Sequence, residues 1–235
     1  MNSSASEIRD LFDRIAPVYD QLNNGLSLGM HRIWKRMTVK WSEAHPGDTC
    51  LDVCCGSGDL AELLAREVGS TGKVYGVDFS PAQLAIAKQR AETQPFPLSI
   101  NWVEADALNL PFEDNYFNAA TMGYGLRNVT DIPQCLRELY RVLKPGAKAA
   151  ILDFHRPTQE WVVAFQQWYL DTIVVPRATA FGLTAEYAYI APSLERFPTG
   201  QQQVELARNA GFTSTVHYRI AAGMMGVLVL TKALK

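Results

Sequence analysis

At 235 residues, with 48% apolar and 20% charged content, the chain suits one α/β domain that can bury a sizeable core. A formal net charge of -2 removes any general electrostatic drive toward nucleic acid, so no nucleic-acid partner is expected. The N-terminus lacks a basic, then apolar, secretory start, and no apolar run reaches the roughly 18 residues of a spanning helix. A cytoplasmic location follows as the expectation, with contact at a membrane surface left open.

In chain order, Ile8, Leu11, Phe12 and Ile15 recur at helical spacing and predict an amphipathic helix within 6–20, before Pro17. A strand over 49–54 runs into the turn Gly56-Ser57-Gly58 and a helix over 59–67. A second strand spans 73–78, and Ser80-Pro81 caps the helix after it, with proline at the first helical position. Strands follow near 99–104, 118–122 and 147–154, with a helix over 132–143 that ends before Lys144-Pro145-Gly146. Strands alternating with helices predict a mostly parallel sheet covered on both faces. Near the end, a helix over 201–209 precedes strands over 213–220 and 225–232, joined by Ala-Ala-Gly as an antiparallel hairpin.

The stretch 154–197 interrupts the alternation and holds nine aromatic residues, well above its even share. Core packing and a greasy cover over a hydrophobic substrate both account for it. The four cysteines (Cys50, Cys54, Cys55, Cys135) show no metal-ligand spacing and read as small apolar residues, so no metal is expected.

Chemistry concentrates in Leu-Asp52-Val-Cys54-Cys-Gly56-Ser-Gly58-Asp-Leu, followed by Val-Tyr-Gly-Val-Asp78-Phe79-Ser. A strand, a glycine turn, a helix and a second strand ending on a carboxylate make a nucleoside-binding unit. The glycines let main chain approach a ligand, and the acid accepts from ribose hydroxyls. Gly56-x-Gly58-x-x-Ala61 also satisfies the dinucleotide fingerprint, so a nicotinamide dehydrogenase is a real alternative.

Three features favour S-adenosylmethionine instead. Asp52 lies inside the first strand, where it suits an ammonium group and not a pyrophosphate. Asp106, beside Ala107, follows another strand and suits an adenine amino group. The terminal hairpin departs from a dinucleotide fold. The expected fold is therefore a class I, Rossmann-like S-adenosylmethionine-dependent methyltransferase whose mostly parallel sheet ends in an antiparallel hairpin. It forms one domain over 1–235, with a helical cap over about 6–45 and an aromatic insertion over about 154–200.

At this point the chain resembles the ubiquinone/menaquinone biosynthesis methyltransferases over nearly its whole length. Tyr19-Asp20-x-Leu22-Asn23-x-x-Leu26-Ser27-x-x-x-His31-x-x-Trp34 resembles the family's N-terminal signature, with Leu22 where methionine is usual. Gly125-Leu126-Arg127-Asn128-Val129 is similar to its mid-chain motif, and Arg141-Val142-Leu143-Lys144-Pro145-Gly146 to its second signature. Departures are Cys54 for a small glycine or alanine, Met122-Gly123 without the usual hydroxyl residue, and Ala147 for a second glycine. Asp153-Phe154-His155 also stands where glutamate, a variable residue and serine are usual.

The overall wording is most similar to the cyanobacterial branch, which methylates 2-phytyl-1,4-naphthoquinone to phylloquinone. Other quinone precursors in the same family, and small-molecule O- or N-methylation, are the alternatives. A non-catalytic adenosine-binding subunit is a third reading, which the intact acids and glycines disfavour.

The resemblance implies S-adenosylmethionine bound by Asp52, Cys54, Gly56, Gly58, Asp78, Phe79, Asp106 and Ala107. It implies a lipophilic quinol met by Tyr19, Asp20, Asn23, His31, Tyr124 and Asn128. A quinol carbon becomes nucleophilic when a ring hydroxyl with a pKa of about 10 ionises, at on the order of 4 kcal/mol at neutral pH. Arg127 is the expected cation for that ionisation and His155 a candidate proton acceptor; water held by Arg127 and a carbonyl would serve as well. Trp161, Phe165, Trp168 and Tyr169 fall on one helical face, suited to prenyl carbons, a bilayer or a second copy of the chain in a homodimer.

Overall fold

The computed structural model describes residues 29–95, 98–157, 159–180 and 190–234, together with 9, 13 and 14. The predicted helix within 6–20 therefore lies almost wholly outside the described residues, as do Tyr19, Asp20 and Asn23.

Seven strands form one sheet in the order β3-β2-β1-β4-β5-β7-β6. They are β1 (Thr49–Val53), β2 (Lys73–Asp78), β3 (Ile100–Glu104), β4 (Phe117–Gly123), β5 (Leu143–Phe154), β6 (Ser214–Ile220) and β7 (Met225–Thr231). The first five are parallel, β7 runs antiparallel to β5, and β6 antiparallel to β7. The strand order reverses at β1, so the carboxyl ends of β1 and β4 diverge in their connections and leave a crevice, the usual ligand position of open α/β sheets.

Central strands are covered on both faces, which is why β1 reads as Thr-Cys-Leu-Asp-Val without polar alternation. Leu51 and Val53 enter one core with Phe117, Met122, Leu136, Leu139 and Ile151. Cys50 faces the other way, against Leu60, Leu64, Val68 and Val74. That second core belongs to α2 (Asp59–Val68), which follows α1 (Met30–Ser42). A third cluster packs Trp34 and Trp41 of α1 on Leu152 and Val227.

Helix α3 (Pro81–Glu92) begins as expected: the Ser80 hydroxyl accepts the Gln83 amide and Pro81 opens the first turn. Helix α4 (Ile132–Val142) repeats the device with Asp131 and Pro133. In the aromatic insertion α5 (Glu160–Tyr169) leads through a π-helical turn at Leu170–Val174 into α6 (Val175–Ala180). Then α7 (Ile190–Arg196) and α8 (Gly200–Asn209) precede the hairpin.

One boundary needed correction. The sequence places a break at Lys144-Pro145-Gly146, but β5 already starts at Leu143, paired with Phe117. A register shift between Phe117 and Ala119 absorbs the proline and glycine inside the strand, as bulges do. The buried Lys232 ammonium fixes this region, donating to the carbonyls of Tyr140 at 2.7 Å and Leu143 at 2.8 Å.

All four cysteines are free, and burial drives each thiol upward, Cys50 and Cys135 to about 12, so they remain protonated. Among the described residues no helix is long and apolar enough to cross a membrane.

Candidate active site

A cavity of about 990 Å³, part of it open to solvent, lies at the carboxyl ends of β1, β2 and β4. Its floor is the glycine turn. Gly58 has φ 92°, and a Cβ there would stand 2.8 Å from Trp102 Cη2 and 3.1 Å from Ala87. No other residue satisfies both the left-handed backbone and the close packing of α2 on its neighbours. Asp78, at the end of β2, holds this turn by accepting the Gly56 amide at 2.8 Å and the Ser80 amide at 3.0 Å. Burial raises its carboxyl pKa, only partly offset by the amides of Ser80, Gly56 and Phe79.

Asp52 lies one strand away and is 1% exposed. Its Oδ1 accepts the Thr121 hydroxyl from β4 at 2.8 Å, while its Oδ2 has no hydrogen-bond partner among the described residues. Burial pushes this carboxyl up to about 7, against the pull of the Thr121 hydroxyl and the Lys35 charge. A buried oxygen left in this state is costly unless a donor arrives.

Two non-glycine residues at the cavity are left-handed: Cys54 at φ 54°, just past β1, and Tyr124 at φ 59°, just past β4. Such backbone costs on the order of 1–3 kcal/mol each and persists where surrounding structure enforces it. Between them, Gly125 has no room for a side chain, since a Cβ would meet the Cys54 Cβ at 2.5 Å. Asn128 also borders the cavity. Its Nδ2 donates to the Tyr124 carbonyl at 2.9 Å, and its buried Oδ1 lacks a partner among the described residues. Phe79, Asp106 and Ala107 complete the rim; exposed Asp106 accepts the Leu108 amide at 2.9 Å.

Lys35 and Asp59 also border the cavity, beyond the residues expected from the sequence. The Lys35 ammonium, 7% exposed, lies 2.5 Å from Asp59 Oδ2 and 5.9 Å from the Tyr124 ring centroid. Arg90 approaches the other Asp59 oxygen at 2.5 Å and donates to the Ser57 hydroxyl at 3.1 Å. Burial would raise the Asp59 carboxyl, but Lys35 and Arg90 outweigh it and hold it well below the usual carboxylate range. The sequence did carry a signal for Lys35: it shares the buried face of α1 with His31, Thr38, Val39 and Ser42. A lysine on an inward helical face demands a partner.

Three expected site residues stand elsewhere. Arg127 does not border the cavity; its side chain is 9% exposed and Nη1 donates to Asp153 Oδ1 at 2.7 Å. The guanidinium also lies 4.9 Å from the Phe154 ring centroid. Asp153 on the neighbouring strand pairs with its charge, which gives Arg127 a structural tie in this arrangement. His155 is buried against His217, ring centroids 5.1 Å apart, and does not border the cavity. His31, in the first turn of α1, borders a separate polar cavity of about 930 Å³ with Arg32, Arg36 and Arg90. Lys35 and Asp59 line both cavities.

A glycine turn at the strand-order reversal, acids past successive strands and a terminal hairpin define the S-adenosylmethionine-dependent methyltransferase fold. Solved structures agree. An Aquifex aeolicus SAM-dependent methyltransferase superimposes with a TM-score of 0.63 at 18% identity, covering 84% of this chain and 88% of that one. A Thermotoga maritima SAM-dependent methyltransferase gives 0.65 at 20%, covering 96% and 99%. At such identities they speak for the fold alone.

The model of the ubiE/COQ5 methyltransferase family matches residues 1–232, and the chain belongs to that family. Among its relatives is a 2-phytyl-1,4-naphtoquinone methyltransferase of Trichormus variabilis, 69% identical over 227 residues, covering 97% of this chain and 99% of the relative. The chloroplastic 2-phytyl-1,4-beta-naphthoquinone methyltransferase of Arabidopsis thaliana is 53% identical over 227 residues, covering 96% and 87%. The residues present fit the family's methyl donor, because Asp52 borders the cavity and its buried Oδ2 has no donor among the described residues, which suits an ammonium group.

Proposed function

We propose that this protein transfers a methyl group from S-adenosylmethionine to a ring carbon of reduced 2-phytyl-1,4-naphthoquinone, giving reduced phylloquinone (phylloquinol), S-adenosylhomocysteine and the proton displaced from the ring carbon. The observation that carries the choice of acceptor is the 69% identity, over 97% of the chain, to a relative named for that substrate. The donor rests on family membership and on a cavity that fits it.

Bound here, S-adenosylmethionine supplies an electrophilic methyl group on a positively charged sulfur. Asp52 receives the ammonium on its open oxygen, and Asp78 receives ribose hydroxyls while it fixes the glycine turn. Cys54 and Gly56 bring main chain close to the ligand, Gly58 holds the turn behind them against Trp102, and Phe79, Asp106 and Ala107 border the adenine. On the acceptor side, Tyr124 shapes the wall and Asn128 Oδ1 accepts from a ring hydroxyl. Tyr19, Asp20 and Asn23 are assigned to the acceptor by the family signature.

Only the reduced ring is electron-rich enough to attack a methyl group. The residues therefore work by aligning two reactants and excluding water, which alone accounts for several kcal/mol of barrier.

The acceptor's prenyl tail favours a bilayer contact. On α5, Val162 and Gln166 face inward, while Trp161 at 67%, Phe165 at 45% and Trp168 at 52% exposure point outward. This face suits the interfacial region of a membrane that holds the substrate.

A panel of reduced acceptors bearing one common prenyl tail tests the assignment. The naphthoquinol should gain one ring methyl, read by mass spectrometry, at least tenfold faster than benzoquinols. Preference for a benzoquinol would keep the family and overturn the substrate.

A further inference from the structure

We propose that Lys35 binds the carboxylate at the amino-acid end of the methyl donor, while Asp52 takes the ammonium. This rests on the donor reading above and gives it a second charged contact.

Among the described residues bordering the cavity, Lys35 is the lone lysine or arginine, set against Asp52, Asp59, Asp78 and Asp106. Its ammonium has three donors, and Asp59 Oδ2 engages one face of it. Asp59 does not belong to Lys35 alone, because Arg90 occupies its second oxygen. Glu62, the next acid on α2, meets Arg90 at 3.8 Å and Arg66 at 3.5 Å. Lys35 therefore shares Asp59 with Arg90, which leaves part of its ammonium for a second acceptor on the cavity side. His31, Arg32 and Arg36 flank it in the adjoining polar cavity.

On the same cavity Asp52 has a buried oxygen with no donor among the described residues. A lysine and a donorless acid bordering one cavity are complementary to a zwitterion. Of the two reactants, only the donor has such an end, an α-ammonium beside an α-carboxylate. Lys35 is moreover fixed to Asp59, the first residue of α2 after the glycine turn, which places it at the donor's end of the site. Arg127 cannot substitute, being bound to Asp153 outside the cavity.

The test compares S-adenosylhomocysteine with its decarboxylated counterpart by isothermal titration of the full chain, in wild type, Lys35→Met and Lys35→Arg. A charge-assisted contact predicts that wild type prefers the carboxylate-bearing ligand by about tenfold to a hundredfold. In Lys35→Met that preference should shrink to about threefold or less, with the decarboxylated ligand bound as in wild type; Lys35→Arg should keep most of it. Equal weakening of both ligands would mean that Lys35 only supports Asp59, and a preference surviving in Lys35→Met would place the carboxylate elsewhere; either overturns the proposal. Where Lys35→Met alone fails to fold, the double variant with Asp59→Asn removes the stranded acid and carries the same comparison. Wild type that binds neither ligand would overturn the donor reading itself.

Discussion

Asp153 holds Arg127 at two points: its Oδ2 accepts the Arg127 amide at 3.1 Å and its Oδ1 accepts Nη1 at 2.7 Å. The pair joins the turn after β4, which borders the cavity, to the end of the neighbouring β5. Removing one member strands the other charge in the interior. Arg127→Ala should destabilise the fold by about 3–5 kcal/mol, read as a lower urea midpoint. Affinity for S-adenosylhomocysteine under native conditions should change less than threefold. An unchanged midpoint with turnover abolished would return Arg127 to the chemistry.

Asp52 predicts a pH dependence of opposite sign for folding and for binding. Its carboxyl titrates at about 7 when folded, against about 3.9 when unfolded, so the folded state binds the extra proton between these values. Stability contributed by this group therefore falls as pH rises through that window. Asp52→Asn should remove the slope and melt higher than wild type at pH 8. Binding runs the other way, because an ammonium needs the carboxylate. Affinity for S-adenosylhomocysteine should climb several-fold between pH 5.5 and 7 in wild type and stay flat, and weaker by about tenfold or more, in Asp52→Asn.

Buried His155 and half-buried His217 lie against each other at the sheet edge. Burial lowers both pKa values, His217 to about 4, and Arg219 adds to the effect. The unfolded imidazoles take up protons near 6.5 and the folded ones do not, so stability from this pair is complete above about 6.5 and drains away as pH falls toward 4. Space around His217 is provided by Gly200 and Gly226, whose Cβ positions lie 2.6 and 2.4 Å from the ring. Melting temperatures at pH 7.5 and 5 should differ less in His217→Phe than in wild type. A difference as large in the variant would show that the pair does not titrate on unfolding.

The outward face of α5 predicts lipid contact. Wild type should sediment with liposomes that carry the prenylated quinone, and Trp161→Glu with Phe165→Glu should abolish this without lowering the melting temperature. Loss of a dimer in the double variant, with sedimentation intact, would assign the face to a second copy of the chain.

What could be read in advance was local. The strand at Leu51–Val53 declares itself through an apolar run, the turn through Gly56 and Gly58, and α3 through Ser80-Pro81. The hairpin follows from two strand segments joined by Ala-Ala-Gly. What the sequence does not show is non-local. Nothing near Arg127 in the chain reveals its partner Asp153, 26 residues on, at the adjacent strand end. Nothing near His155 reveals that its ring lies against His217. Lys35 reaches its role only because α1 returns across the start of α2, 24 residues later. Pro145 and Gly146 read as a break, since only strand pairing shows that β5 accommodates them as a bulge.

The central claim is methyl transfer to the carbon of a reduced ring, and one comparison tests it most directly. The protein is supplied with methyl-labelled S-adenosylmethionine and 2-phytyl-1,4-naphthoquinone, with and without dithionite, and label in the ring is counted. Label should enter the ring carbon only in the reduced sample, giving phylloquinone after reoxidation. Equal incorporation without reductant, or label on a ring oxygen, would contradict the account.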